Sequence, residues 1–315
     1  MEPHKRIINQ EEGKNSMDIS KIVIVPKITS LDYTMTQFHM TREDVFSKWK
    51  DDGMTRDDIQ NNLQAHENHH HSLSLLKRLF DEKQFVHRND LNREYVAKAD
   101  AVISLGGDDH LQYVSHFIES TPIISVNSDP IRSNGNLLYF TAQEIMDILP
   151  LFKKDEHILE QWTRLSATIN AGKNVIHAIP AMSQYALITE DPEGMARMFV
   201  ELNGQSEKQR GSGLLIATGA GLTGWYKGAS LYMPKTSLSR TERAARVILR
   251  EPWSDTPHVM SNPLLKEGDE LLVTYFTHTE GRLSSDTYDR YSIVRGNKVS
   301  IRISDMPLNV INLAR

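Results

Sequence analysis

Hydrophobic positions along the chain fall into two regimes. In the first, apolar runs without polar interruption alternate with stretches spaced every three or four residues. Lys21-Ile22-Val23-Ile24-Val25-Pro26 is a β-branched run closed by proline, the pattern of a strand buried on both faces. Over residues 42–80, Leu63, His66, His70, Leu73, Leu76 and Leu79 recur at helical spacing, which predicts a long helical stretch. A weak strand is expected over 83–87, a short helix over 91–99, and a strong strand over 101–105. A helix over 111–119, a strand over 122–127 and a helix over 142–152 follow. Such alternation predicts a parallel sheet whose ligands sit at the carboxyl ends of its strands.

The second regime begins after residue 152. Trp162-Thr163-Arg164-Leu165-Ser166-Ala167-Thr168-Ile169 alternates, Tyr185-Ala186-Leu187-Ile188-Thr189 is apolar, and Gly213-Leu214-Leu215-Ile216-Ala217-Thr218 runs into a glycine cluster. Residues 270–278, 291–295 and 298–303 alternate again, bounded by Gly268, Gly281 and Gly296. The expected architecture is therefore an α/β N-terminal domain with a parallel sheet, followed by a β-rich domain. Its divisions are a disordered leader over 1–18, the α/β domain over 19–150, the β-rich domain over 151–290, and a C-terminal segment over 291–315.

Composition narrows the function classes. The 315 residues suffice for two domains, and no apolar run approaches a membrane span. Net charge is −5, without a basic block interleaved with aromatics, so neither nucleic acid nor membrane is an expected partner. Cysteine is absent, which excludes disulfides, thiolate nucleophiles and cysteine-held zinc. The polar N-terminus lacks the apolar core of a signal peptide, and the expected location is cytoplasmic.

Three polar segments interrupt this pattern where strands end. In the first, Gly106-Gly107-Asp108-Asp109-His110 directly follows the strand over 101–105. Glycine lets phosphate approach the backbone, and a carboxylate there can accept a hydroxyl proton or hold magnesium; a plain turn capping the next helix is the competing reading. Asn127-Ser128-Asp129-Pro130-Ile131-Arg132-Ser133 crowds polar groups after the next strand, and Arg132 is suited to clamp phosphate. The third segment, Thr218-Gly219-Ala220-Gly221-Leu222-Thr223-Gly224, is a second glycine turn in the other lobe. Two such turns can grip a polyphosphate from both sides of a cleft.

His66-Glu67-Asn68-His69-His70 has the zinc-protease spelling His-Glu-x-x-His on a helix. A hydrolytic site needs a third ligand, and the sequence nominates none, so the expectation is no metal ligand set and a histidine-rich surface or interface helix.

At these residues the sequence resembles the NAD kinase family, most of all its branch with mitochondrial and plant NADH-preferring members. The matches are Ala101 to Asp108, the segment from Val126 through Asn127, Asp129, Arg132 and Ser133 to Leu137, and Gly211-Ser212-Gly213-Leu214 through Thr223. The resemblance implies the two-domain NAD kinase-like fold, a C-terminal segment packed back on the first domain, and a homodimer or higher homo-oligomer. It implies transfer of the ATP γ-phosphoryl to the adenosine 2′-hydroxyl of NAD or NADH with Mg²⁺ or another divalent metal. Asp108 would be the catalytic base. The nucleotide-binding set would be Gly106, Gly107, Asp109, His110, Asn127, Asp129, Arg132, Ser133, Ser183, Gln184, Thr218, Gly219, Gly221 and Thr223.

Departures from the family pattern define the alternative. Asp109 and His110 stand where the family has glycine and threonine, Ser183 and Gln184 where it has asparagine and an acid, and Leu222 where it has serine. Asp109 adds negative charge beside phosphate, which repels ATP unless a metal intervenes. A catalytically altered or inactive nucleotide-binding sensor on the same scaffold is the second expectation. A kinase of lipid or sphingoid hydroxyls is disfavoured, since no apolar acceptor lobe is evident.

Overall fold

The computed structural model describes residues 17–154, 156–253, 260 and 262–313. The first lobe comprises β1 (Ile22–Pro26), α1 (Ser30–Phe38), α2 (Arg42–Asp51), α3 (Arg56–Leu76), α4 (Arg93–Ala97), β2 (Ala101–Gly106) and α5 (Asp108–Ser115). It continues through β3 (Ile123–Asn127), β4 (Phe140–Thr141), α6 (Ala142–Lys153) and β5 (Ile158–Trp162). The second lobe opens with β6 (Leu165–Ala171), β7 (Asn174–His177), β8 (Gln184–Thr189), β9 (Ala196–Leu202), β10 (Gln205–Gly211), β11 (Gly213–Thr218) and α7 (Trp225–Ala229). It ends with β12 (Ala244–Arg250), β13 (Leu264–Lys266), β14 (Leu271–Tyr275), β15 (Gly281–Ser285), β16 (Asp289–Ile293) and β17 (Lys298–Ile303), after which β18 (Leu308–Asn312) closes the chain's described part.

The first sheet runs β1-β2-β3-β18-β5, with β4 beside β3. β1, β2, β3, β4 and β18 are parallel and β5 is an antiparallel edge, so the sheet is parallel except at β5. Its strands are apolar on both sides because both sides are covered. Ile22, Ile24, Ile103 and Ile124 face α3 and α6 residues such as Leu76 and Ile145, while Val23, Val25 and Val102 join Val96 of α4 and Leu111 and Val114 of α5. The expected leader lies outside the described residues up to position 16; Met17 is buried in the core and Asp18 caps a short turn.

The helical stretch expected over 42–80 is corrected to two separate helices, α2 and α3, and α1 precedes them where no helix was expected. Capping chemistry explains the breaks. Thr41 with Asp44 and Thr55 with Asp58 form capping boxes, Thr29 caps α1, and Gly53 between α2 and α3 takes a left-handed φ of 88°. The weak strand over 83–87 is a short turn in which Phe85 makes a single parallel bridge to Ile24. The helix expected from 111 starts at Asp108, with Gly107 as its N-cap, so both aspartates occupy its first turn at the positive end of the helix.

The second lobe is a sandwich of two six-stranded antiparallel sheets, β10-β9-β14-β17-β6-β7 and β13-β12-β11-β8-β15-β16. Ile169, Val200, Val273 and Val299 from the first meet Tyr185, Leu214, Ile216 and Val247 from the second in one core. Strand alternation follows directly; β9 buries every second residue. Sheet membership places β5, beyond residue 150, and β18 in the first lobe, whereas β16 and β17 stay in the second. The chain thus crosses between lobes before β6 and after β17. Arg164 sits at both crossings, donating to the carbonyls of Ile118, Glu119, Met306 and Pro307 while almost wholly buried. Among the described residues no helix is long and apolar enough to cross a membrane.

Candidate functional site

The carboxyl ends of β1, β2 and β3 bring together Lys27, the Gly106-Gly107-Asp108 turn and the Asn127 loop. Asp108 is half-buried, and its two oxygens accept the backbone amides of Asn136 at 3.1 Å and Leu137 at 2.9 Å. One carboxylate therefore stitches the glycine turn to the neighbouring loop. Gly107 has no atom within 4 Å of where a Cβ would stand, so its backbone faces open space. Gly106 differs: a Cβ there would lie 2.6 Å from the Cβ of His110. Asp109 is exposed, and its carbonyl accepts the hydroxyl of Tyr288 from the second lobe at 2.8 Å.

His110 turns into the core of the first lobe. It is buried, its Nε2 lies 2.8 Å from the Val25 carbonyl of β1, and burial pulls its pKa down to about 4. It is a core imidazole packed on Gly106.

The polar loop is largely self-bonded. Asn127 donates to the Ser133 carbonyl at 2.7 Å and accepts the Asp129 amide at 2.9 Å, while Asp129 accepts Asn68 of α3 at 2.7 Å. Ser133 is exposed. Asn127 and Ser133 border a cleft of about 250 Å³ with Tyr139 and Glu144. The guanidinium of Arg132 donates to the Asn61 carbonyl and lies 3.8 Å from Asp129, so here it braces α3. Lys27 is the cation at this edge, half-buried, its pKa lowered by burial and partly restored by Asp129. Its position one residue past β1 was the available sequence signal.

In the second lobe the backbone amides of Met182, Ser183 and Gln184 all donate to Asp286, at 2.8, 2.9 and 2.8 Å. Ser183 and Gln184 are buried, and the Gln184 Oε1 has no hydrogen-bond partner among the described residues. Thr218 donates through its hydroxyl to the Met182 carbonyl at 2.6 Å, and Thr223 to the Ala220 carbonyl at 3.1 Å. The glycines here serve packing: a Cβ on Gly219 would lie 2.1 Å from the Ser239 carbonyl oxygen, and one on Gly221 2.2 Å from that of Ser183. That is close approach of protein backbone, which only glycine allows at these two positions.

The two lobes meet along this seam. Met182 and Ala220 share a buried cluster with Leu111, Val114 and Leu137. Arg240 stacks over Trp162 at 4.8 Å and donates to the Tyr139 hydroxyl and the Asn136 carbonyl, beside the amides that hold Asp108. His116, the C-cap of α5, reaches Asp286 with Nε2 at 3.2 Å and Asp289 with Nδ1 at 2.6 Å. Burial opposes a charge on that imidazole, but the hydrogen bonds and charges of Asp286 and Asp289 outweigh it and raise its pKa. None of His116, Asp286, Asp289, Arg164 or Arg240 carries a motif; Ser285-Asp286-Thr287 reads in sequence as an ordinary hairpin turn. A positive φ of 45° at Asp286 and its complete burial mark it in the structure.

Among curated proteins, the chain is 27% identical over 273 residues to a probable NADH kinase of Oryza sativa subsp. japonica, covering 76% of this chain and 80% of that protein. It is 28% identical over 190 residues to the NADH kinase of Arabidopsis thaliana, covering 54% and 58%. The chain is a distant homologue of the NAD kinase family. No protein-family model matches it. The crystal structure of yeast NADH kinase complexed with NADH superposes with a TM-score of 0.64 at 13% identity, over 96% of this chain and 88% of that one. That of an Archaeoglobus fulgidus NAD kinase in complex with ATP gives 0.59 at 18% identity, over 76% and 87%. This homologue therefore has the NAD kinase fold, an α/β sheet joined to two antiparallel sheets.

Proposed function

We propose that the chain transfers the γ-phosphoryl group of ATP to the adenosine 2′-hydroxyl of NAD or NADH. The observation that carries this reading is Asp108 at the tip of β2, beside the open Gly107 and against the loop that Arg240 of the second lobe also holds. An ionised carboxylate offers about four lone-pair directions, so one backbone amide on each oxygen leaves room for a substrate hydroxyl. Asp108 then takes the hydroxyl proton as the new O–P bond forms and ADP departs.

Phosphoryl transfer asks mainly for alignment and for neutralisation of phosphate charge. Gly107 and the α5 N-terminus provide close backbone approach, and Lys27 provides a cation at the same edge. Mg²⁺ takes one or two carboxylates plus substrate phosphates, and the exposed carboxylate of Asp109 fits that donor set. When bound, the ion offsets the repulsion between Asp109 and ATP. A homo-oligomer and a cytoplasmic setting belong to the same proposal.

Formation of NADP from NAD, or NADPH from NADH, by purified protein with ATP and Mg²⁺ tests it. The second reading, a dinucleotide sensor without turnover, is favoured by the closed packing at Gly219 and Gly221 and by Arg132 turned toward Asn61. Binding of NADH without product would select it.

A further inference from the structure

The third ligand that the sequence could not nominate for the histidine helix is supplied by α1. His66 and His70, one turn apart on α3, hold their rings 4.2 Å apart, centroid to centroid. Across from them, Oδ2 of Asp32 lies 3.0 Å from Nε2 of His70 and 3.6 Å from Nδ1 of His66. The three ligand atoms all fall within 4.8 Å of one another. A tetrahedral ion with nitrogen and oxygen ligands at about 2.0–2.1 Å sets its ligands roughly 3.4 Å apart, and the separations of 3.0 and 3.6 Å from Asp32 to the two imidazoles bracket that spacing.

We propose that Asp32, His66 and His70 form a binding site for a divalent transition ion of the Zn²⁺ class, with solvent in the fourth position. Two imidazoles and one carboxylate suit zinc and its neighbours; Mg²⁺, which prefers oxygen, is the wrong ion for this set. The site is therefore distinct from any metal that accompanies ATP. It is open to an incoming ion, since His70 is exposed and Asp32 and His66 are partly so. Thr29, at hydrogen-bond distance from both Asp32 and His66, orients the pair in the ion's absence. Glu67, the residue that would act as base in a zinc protease, instead lies 3.7 Å from Arg42, so the ion serves as a clamp between α1 and α3 and not as a hydrolytic centre. The neighbouring turns of α3 hold the Asn127 loop through Asn68 to Asp129 at 2.7 Å and Ser72 to the Ser128 carbonyl at 3.0 Å.

The test uses untagged full-length protein stripped with chelator and titrated with Zn²⁺ by calorimetry and with Co²⁺ by visible absorption. One ion per chain, with the intense visible bands of four-coordinate Co²⁺ and a rise in melting temperature on Zn²⁺ addition, is expected. Losing even a group that only orients a metal ligand costs about 10–100-fold in affinity, so Asp32→Ala and His70→Ala should each weaken Zn²⁺ binding by at least roughly tenfold. His71→Ala, on the same helix but outside the cluster, should bind as the parent does. Absence of stoichiometric uptake by the parent protein overturns the proposal, as does uptake that survives the His66→Ala/His70→Ala double change or falls equally with His71→Ala. None of these readouts depends on kinase activity.

Discussion

His116 and Asp286, 170 residues apart in sequence, meet at 3.2 Å in the buried seam between the lobes. Removing one partner of a buried charged pair strands the other, at a cost of about 3–5 kcal/mol. His116→Ala should therefore destabilise the protein by that order. The folded-state pKa of His116 is raised, so the pair's contribution is complete below the unfolded value of 6.5 and is lost as pH rises through the higher folded value. Melting curves of the parent and His116→Gln across pH should converge on the alkaline side; a gap independent of pH would refute the charged pair.

His110 gives the opposite slope. Its folded pKa, about 4, lies below the unfolded value of 6.5, so the stability it contributes is complete above 6.5 and is lost as pH falls toward 4. A shift of that size corresponds to about 3 kcal/mol in the acid limit. Chemical denaturation between pH 7 and 4 should show a shallower loss in His110→Asn than in the parent, once a common stability at pH 7 is subtracted.

The three turn glycines should separate cleanly. Gly107 has open space around its Cβ position and a φ of −111° that any residue adopts, so Gly107→Ala should fold with a melting temperature near the parent's and lose affinity for nucleotide. At Gly219 and Gly221 a methyl group would strike backbone oxygen within 2.2 Å, so alanine there should lower stability by more than 1 kcal/mol, the usual range for overpacking. Equal behaviour at Gly107 and Gly219 would contradict the distinction.

Asp109→Gly removes the exposed carboxylate proposed to share the metal with ATP. The Mg²⁺ concentration for half-maximal rate should rise; an unchanged requirement together with a lower KM for ATP would mean that Asp109 merely repels the nucleotide.

What the sequence disclosed follows from how local each signal was. The parallel strands at Ile22–Pro26, Ala101–Gly106 and Ile123–Asn127 announced themselves because burial on both faces leaves the runs almost wholly apolar, with only Ser104, Ser125 and Asn127 polar. Asp108 was visible as a carboxylate at a strand tip. The roles of Arg132, His110, Gly219 and Gly221 were not, because each depends on what lies opposite in space: Asn61, Val25, Ser239 and Ser183. The same holds for Asp32, whose place beside His66 and His70 is set by the packing of α1 on α3.

The most direct test of the central claim is the rate of NADP or NADPH formation from NAD or NADH, ATP and Mg²⁺ by the parent protein and by Asp108→Asn. The account predicts turnover by the parent and a loss of at least about 10²-fold in kcat for the variant, with dinucleotide still bound. An equally active Asp108→Asn protein, or a parent that binds dinucleotide and never phosphorylates it, would contradict it.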